Sequence, residues 1–298
     1  MAASAALQPL TCWDRNMDLG EVDYQIYYNE HAAPFLTGKN GESDQYFVNQ
    51  AKETHIYGVN IALNKLLADA LTMLDAVTFS ASTEHFLRFG IMRRTRMLIS
   101  SFRGFQSIIM PDRTAPLALD QSDQACQHLN AIYIDILGLL DNYAWTMVHH
   151  AGEEKTRSSK PMAIGLFKEA FKRDPALAAA ADALAPFAAW EEDVKTRRNP
   201  AAHRMPLYVP SASYTAEEQL EYARYDREIS AALRAQELEK LAELEAAQRR
   251  VGTFLSVFLH DPGEKIMDIY PTVPHDIGQL VEIGRIVHAF LLQPRGTE

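Results

Sequence analysis

Apolar residues in this chain recur every three or four positions over long stretches, and no segment keeps up an alternation of period two. A helix can bury one side with such a stripe, whereas a half-buried strand needs alternation. Between 44 and 78 the stripe runs through Phe47, Ala51, Ile56, Val59, Leu63, Leu66 and Leu74. A second helix is expected from a cap at Ser82 or Thr83, with Glu84 in its first turn, to Ile109, where Pro111 stops it. A third spans 117–150 on Ile132, Ile136, Leu139, Tyr143 and Met147, with Gly152 as its stop. Shorter helices are expected over 163–172, 175–184 and 186–198, with Pro175 and Pro186 in first turns. A highly charged helical stretch should open at Thr215 and run to about residue 260, broken near Val251-Gly252, and a last helix should cover 275–292. The segment from Pro206 to Pro210 reads as an extended strap rather than a sheet strand, because two prolines so close cannot sit inside a helix. The sequence thus predicts an all-α fold. Residues 1–44, with turn signals at Pro34, Gly38 and Asn40-Gly41, form an irregular arm, and 45–298 form one helical domain.

Composition narrows the function classes. With 47% hydrophobic and 23% charged residues among 298, the chain is neither disordered nor fibrous. A formal net charge of -10 argues against coating nucleic acid or anionic membrane through an overall field, so a phosphate partner must use a local basic patch. Cys12 and Cys126 make neither a disulfide framework nor a zinc signature, and the opening residues lack the charged and apolar regions of a secretory signal, so a cytoplasmic setting is expected. The most apolar stretch, 131–148, carries Asp135, Asp141 and Asn142 and is read as a core helix, not a membrane span. The polar groups between Asp141 and Trp145 then need partners in the interior.

Several familiar sites are absent from the sequence: no phosphate-binding loop ending in Lys-Ser or Lys-Thr, no Gly-x-Gly-x-x-Gly, no Gly-x-Ser-x-Gly and no His-Glu-x-x-His. Adjacent His149 and His150 point about 100° apart on a helix and cannot readily share one ion; capping free carbonyls at a helix end suits them better. His55 has no second histidine at metal-pair spacing. Neither a metal nor a cofactor is expected. Arg88, Arg93, Arg96 and Arg103 crowd one side of the second helix, either as a solvated face or as a phosphate contact.

One segment stands apart. From Lys195 to Arg204, four basic side chains, Lys195, Arg197, Arg198 and Arg204, stand within ten residues of a strongly acidic chain, in and around Arg198-Asn199-Pro200-Ala201-Ala202-His203. Asn as N-cap and Pro as first helical residue would start a new turn after a helix ending at Arg198, making a kinked corner whose free N–H groups and Arg198 attract an anion. Arg-Asn-x-x-x-His in this setting resembles the signature of the HEPN superfamily. The resemblance implies an α-helical bundle, commonly dimeric, in a superfamily where many members are metal-independent endoribonucleases and others are non-catalytic. It implies Arg198, Asn199 and His203 as the catalytic set, Lys195, Arg197 and Arg204 as RNA contacts, and a homodimer that joins two sets. Pro200 departs from a continuous helical motif, and Met205 stands where a related version of the motif has a modifiable tyrosine.

Overall fold

The computed structural model describes residues 58–111, 113–152, 161–260 and 266–293. The arm expected over 1–44, the start of the first helix and His55 lie outside them. Of the described residues 75% are helical and 4% extended, which makes the fold an all-α bundle. No helix among them is long and apolar enough to cross a membrane.

The elements in chain order begin with α1 (Val59–Ala76), α2 (Ala81–His85), a π-helical segment (Phe86–Met92), α3 (Arg93–Ile108) and α4 (Leu119–Ala151). Short turns of helix follow at Pro161–Ala163 and Ala185–Phe187, around α5 (Glu169–Lys172) and α6 (Ala178–Leu184). Then come α7 (Ala188–His203), α8 (Ala216–Ala235), α9 (Leu238–Gln248), strands β1 (Val257–Phe258) and β2 (Met267–Asp268), and α10 (Ile269–Leu291). The 33-residue α4 is the axis of the bundle, with α3 and the π segment, α7 and α10 packed around it and α1 closing against α3 and α10. Its Leu129, Ile132, Tyr133, Ile136, Leu139 and Tyr143 are fully enclosed. Burial of that kind stabilises by about 1.5–3 kcal/mol per large side chain.

Local signals set several ends. Thr215 accepts the N–H of Glu218 at 3.2 Å while the Glu218 carboxylate accepts the N–H of Thr215 at 2.7 Å, a reciprocal cap at the start of α8. The cap of α2 is Ser80, whose hydroxyl accepts the N–H of Thr83 at 3.3 Å, rather than Ser82 or Thr83; Thr83 is buried inside the turn. Pro175 lies in the turn ahead of α6, and Pro186 sits in the short turn preceding α7.

Three expectations are corrected. The charged stretch breaks at Gln236, in the left-handed region at φ 61°, and not at 251–252. Beyond Gln248 it is not helical: Ser213 pairs with Thr253, Tyr208 with Leu259, and β1 with β2 in antiparallel register. Val251, Phe254 and Phe258 are buried there, and the chain reaches the core as an extended segment because the strap at 206–210 offers it backbone partners. The strap accordingly carries bridge hydrogen bonds. The last helix starts earlier than 275, at Ile269, with a non-helical Tyr270 in its opening turn.

The third correction concerns the motif. No corner forms after Arg198; α7 continues through Asn199 and Pro200 to His203. Proline at 200 deprives the Thr196 carbonyl of its helical donor. Thr196 is exposed, so water can satisfy that carbonyl and the helix survives.

Candidate functional site

Helix α7 lies along α4 and sends its two consecutive arginines to different places. Arg197 turns into the core, where its guanidinium meets Asp193 and, at 3.4 Å, Asp276 of α10, and lies over the Tyr133 ring. Asp276 also accepts Tyr133 Oη–H at 2.8 Å and Trp190 Nε1–H at 2.9 Å. Burial pushes the Asp276 carboxyl up from its ordinary value, against the pull of Arg197 and of these two hydrogen bonds. Arg197, expected as an RNA contact, is therefore an anchor that ties α7 to α4 and α10. Lys195 is held by Glu191 at 2.7 Å and Glu192 at 2.8 Å.

Arg198 stays at the helix surface, half-buried beside α4. It donates one long hydrogen bond, 3.4 Å, to the Asn199 amide oxygen, while its Nε is enclosed with no partner among the described residues. Its charge reaches Asp141 on α4. Burial raises the Asp141 carboxyl from its ordinary value, and Arg198, followed by Arg94, Lys168 and Lys195, opposes the rise. Asn199 is exposed within the helix and does not cap one. Arg204 is exposed just past the end of α7, and His203 is the last residue of that helix.

Asp141 belongs to a line on α4 that also contains Asp135, Gly138, Asn142 and Trp145, spaced at three and four residues and so on one side of the helix. Arg94 of α3 lies across it, donating to Asp135 at 3.3 Å. A side chain at Gly138 would come within 2.4 Å of the Arg94 guanidinium, so the missing Cβ is what gives Arg94 its bed. Burial pushes the Asp135 carboxyl up to about 6 although Arg94 pulls the other way. Asn142 packs against Gly90 of the π segment, and Trp145 stacks on Phe86 with ring centres 5.6 Å apart.

The polar run from Asp141 to Trp145 finds only part of the partners it calls for. Asp141 faces Arg198, and the Asn142 carbonyl accepts the Thr146 hydroxyl at 2.7 Å. The enclosed Tyr143 hydroxyl has no hydrogen-bond partner among the described residues. His149 stacks on Phe86 at 5.0 Å, and His150 is buried edge-on to Phe79 and Phe290. No group of three or more His, Cys, Asp or Glu among the described residues is placed to hold a metal ion.

Arg94 and Gly138 escaped the reading of the sequence, which took Asp135 only as a polar residue in an apolar helix. A glycine and an aspartate inside a long apolar helix were the available signals, since such a glycine marks a close approach. No family model, curated protein or solved structure matches the chain.

Proposed function

We propose that the chain is a cytoplasmic, HEPN-type RNA-processing protein that cleaves RNA by attack of a ribose 2′-hydroxyl on the adjacent phosphate. The observation that carries the reading is the position of Arg198. The helix that ends on the motif lies along α4, so that a guanidinium with an unpartnered Nε stands at a half-enclosed site beside Asp141.

His203 removes the 2′-hydroxyl proton, the oxygen bonds to phosphorus, and the 5′-oxygen leaves with a proton from a general acid, giving a 2′,3′-cyclic phosphate and a free 5′-hydroxyl. Arg198 offers a permanently charged fork to the phosphorane oxygens. Asn199, next to it, orients the phosphate or the histidine. Arg204 extends the cationic path, with Lys195 contributing once a phosphate competes with its two glutamates; Arg197 acts only by holding α7. One motif histidine per chain leaves the acid unassigned, and a homodimer with a two-fold axis at the motif supplies the second histidine.

The test is incubation of the purified protein with total RNA in EDTA, beside His203→Ala and Arg198→Lys. Wild type should yield fragments with cyclic phosphate ends. His203→Ala should yield none, and Arg198→Lys should be impaired, because a point charge cannot replace a bidentate fork. Full cleavage by His203→Ala, or cleavage that needs added magnesium, rejects the mechanism. RNA retained without fragments points to a non-catalytic RNA-binding module instead.

A further inference from the structure

The outer side of α3 and the π segment is a second feature that the motif does not use. Arg88, Arg93 and Arg96 share an open cleft of about 500 Å³ with Phe89, Met92, Met97 and Ser100. In a uniform α-helix, Arg88 would stand well to one side of Arg96. The wider i to i+5 winding over Phe86–Met92 turns each residue through a smaller angle and draws Arg88 back into line. Phe89 in that segment is 51% exposed, and Met97, about two turns on in α3, is 50% exposed.

The arginines are available. Arg88 is paired only with exposed Glu84, a contact worth little in water. The Arg93 guanidinium lies over the Phe89 ring at 5.1 Å. Arg96 has no ion-pair or hydrogen-bond partner among the described residues. A chain of net charge -10 thus concentrates three cations and an exposed ring on one helical side. Arg94, between them in sequence, points the other way, into its bed on α4 towards Asp135 and Asp141.

We propose that this cleft binds a single strand of RNA, with Arg88, Arg93 and Arg96 on successive phosphates and a base stacked on Phe89. Charge and ring together favour that ligand: cationic grooves that follow a backbone and aromatic platforms that take unpaired bases are how single strands are held. An acidic peptide would use the charges but has no need of the ring, and a duplex keeps its bases stacked internally. The ligand's identity as RNA rests on the function proposed above; the site itself stands on its own geometry. It would hold substrate outside the place of cleavage.

The experiment measures fluorescence anisotropy of a short, unstructured, labelled RNA with full-length His203→Ala protein, which leaves the RNA intact, over a series of salt concentrations. Each phosphate contact contributes about -0.7 to the slope of log affinity on log salt, so the three cleft arginines should account for about -2 of it. Adding Arg93→Gln with Arg96→Gln should make the slope shallower by about 1.4, while Arg93→Lys with Arg96→Lys should keep it near the full value. Phe89→Ala should weaken binding about fivefold or more with the slope unchanged. Arg224→Gln with Arg227→Gln, two exposed arginines of α8, is the control and should change neither quantity. Unchanged affinity and slope in the Arg93/Arg96 and Phe89 variants overturn the proposal. It is also overturned if those variants instead convert a dimer to a monomer in light scattering with RNA binding intact, since the cleft then holds a second copy. Cleavage is read separately with His203 restored: cleft variants that lose affinity in a protein that never cuts RNA leave the cleft standing and remove the nuclease.

Discussion

Arg197 and Arg198 are neighbours with opposite tasks. Replacing Arg197 by alanine strands Asp276, 1% exposed, without its cation, a change that costs about 3–5 kcal/mol. Arg198→Ala removes a half-buried side chain whose one hydrogen bond among the described residues is long and exposed, and should shift stability by less than about 1 kcal/mol. Urea unfolding of the two variants checks this; equal losses would show that both arginines are structural. The sequence marks both as cations at the end of a helix and cannot rank them, because the distinction is made by Asp276, far away on α10. The buried His288 is a similar case. Burial lowers its pKa from 6.5 to about 4, with Lys65 adding to the effect and Asp69 opposing it, and neither ring nitrogen has a hydrogen-bond partner among the described residues. The folded state therefore favours the neutral ring. Its contribution is complete above pH 6.5 and is lost as pH falls from there through 4, by up to about 3 kcal/mol. His288→Leu should flatten stability against pH across that window, and an unchanged acid slope in denaturant titrations would remove His288 as its source.

Between elements, the contact of α3 with α4 is organised by a residue without a side chain. Gly138→Ala should gain about 1 kcal/mol of helix propensity, yet the new Cβ takes the space of the Arg94 guanidinium and separates it from Asp135. Leaving that enclosed carboxyl without its cation costs more than the helix gains, so the single substitution should destabilise by about 1–3 kcal/mol. In an Arg94→Ala background the bed is empty, and the same Gly138→Ala should stabilise by about 1 kcal/mol. A double-mutant cycle in denaturant reads the reversal of sign, and additive effects would mean that Arg94 has other accommodation. Elements were legible in the sequence where their ends are chemical and local, as at Thr215 with Glu218. They were illegible where a distant contact decides. The π segment follows the close packing of Gly90 on Asn142, and the residues after Gln248 are extended because the strap at 206–210 is there to meet them. The motif was found as a string, but its helix runs straight through Pro200, since the turn chemistry of Asn-Pro yields to a helix already anchored by Arg197.

At the scale of the whole molecule, the helical class was written in the period of the apolar residues, whereas the division of labour between body and appendage was not. Helices α8 and α9 carry the same kind of stripe as the others, but they pack chiefly on each other: Ala232 is the one buried residue of α8, and α9 has none. The hairpin leaves and re-enters the body where Ser213 and Thr253 exchange two backbone hydrogen bonds, of 2.8 and 2.9 Å. Those two residues are thus a directly opposed antiparallel pair, the geometry that a two-residue Asn-Gly turn closes without strain. On either side of the junction the strap is tied down independently, by the Leu117 N–H to the Ser211 carbonyl and the Phe254 N–H to the Thr114 carbonyl. Replacing residues 214–252 by Asn-Gly should therefore leave the body folded. Far-ultraviolet dichroism should lose the signal of the 20 residues of α8 and the 11 of α9 and no more. Thermal unfolding should remain cooperative, with Tm within about 4 °C of the full chain, the shift that about 1 kcal/mol produces at this size. A variant that melts without cooperativity, or loses helix beyond the hairpin, would show instead that α8 and α9 hold the bundle together.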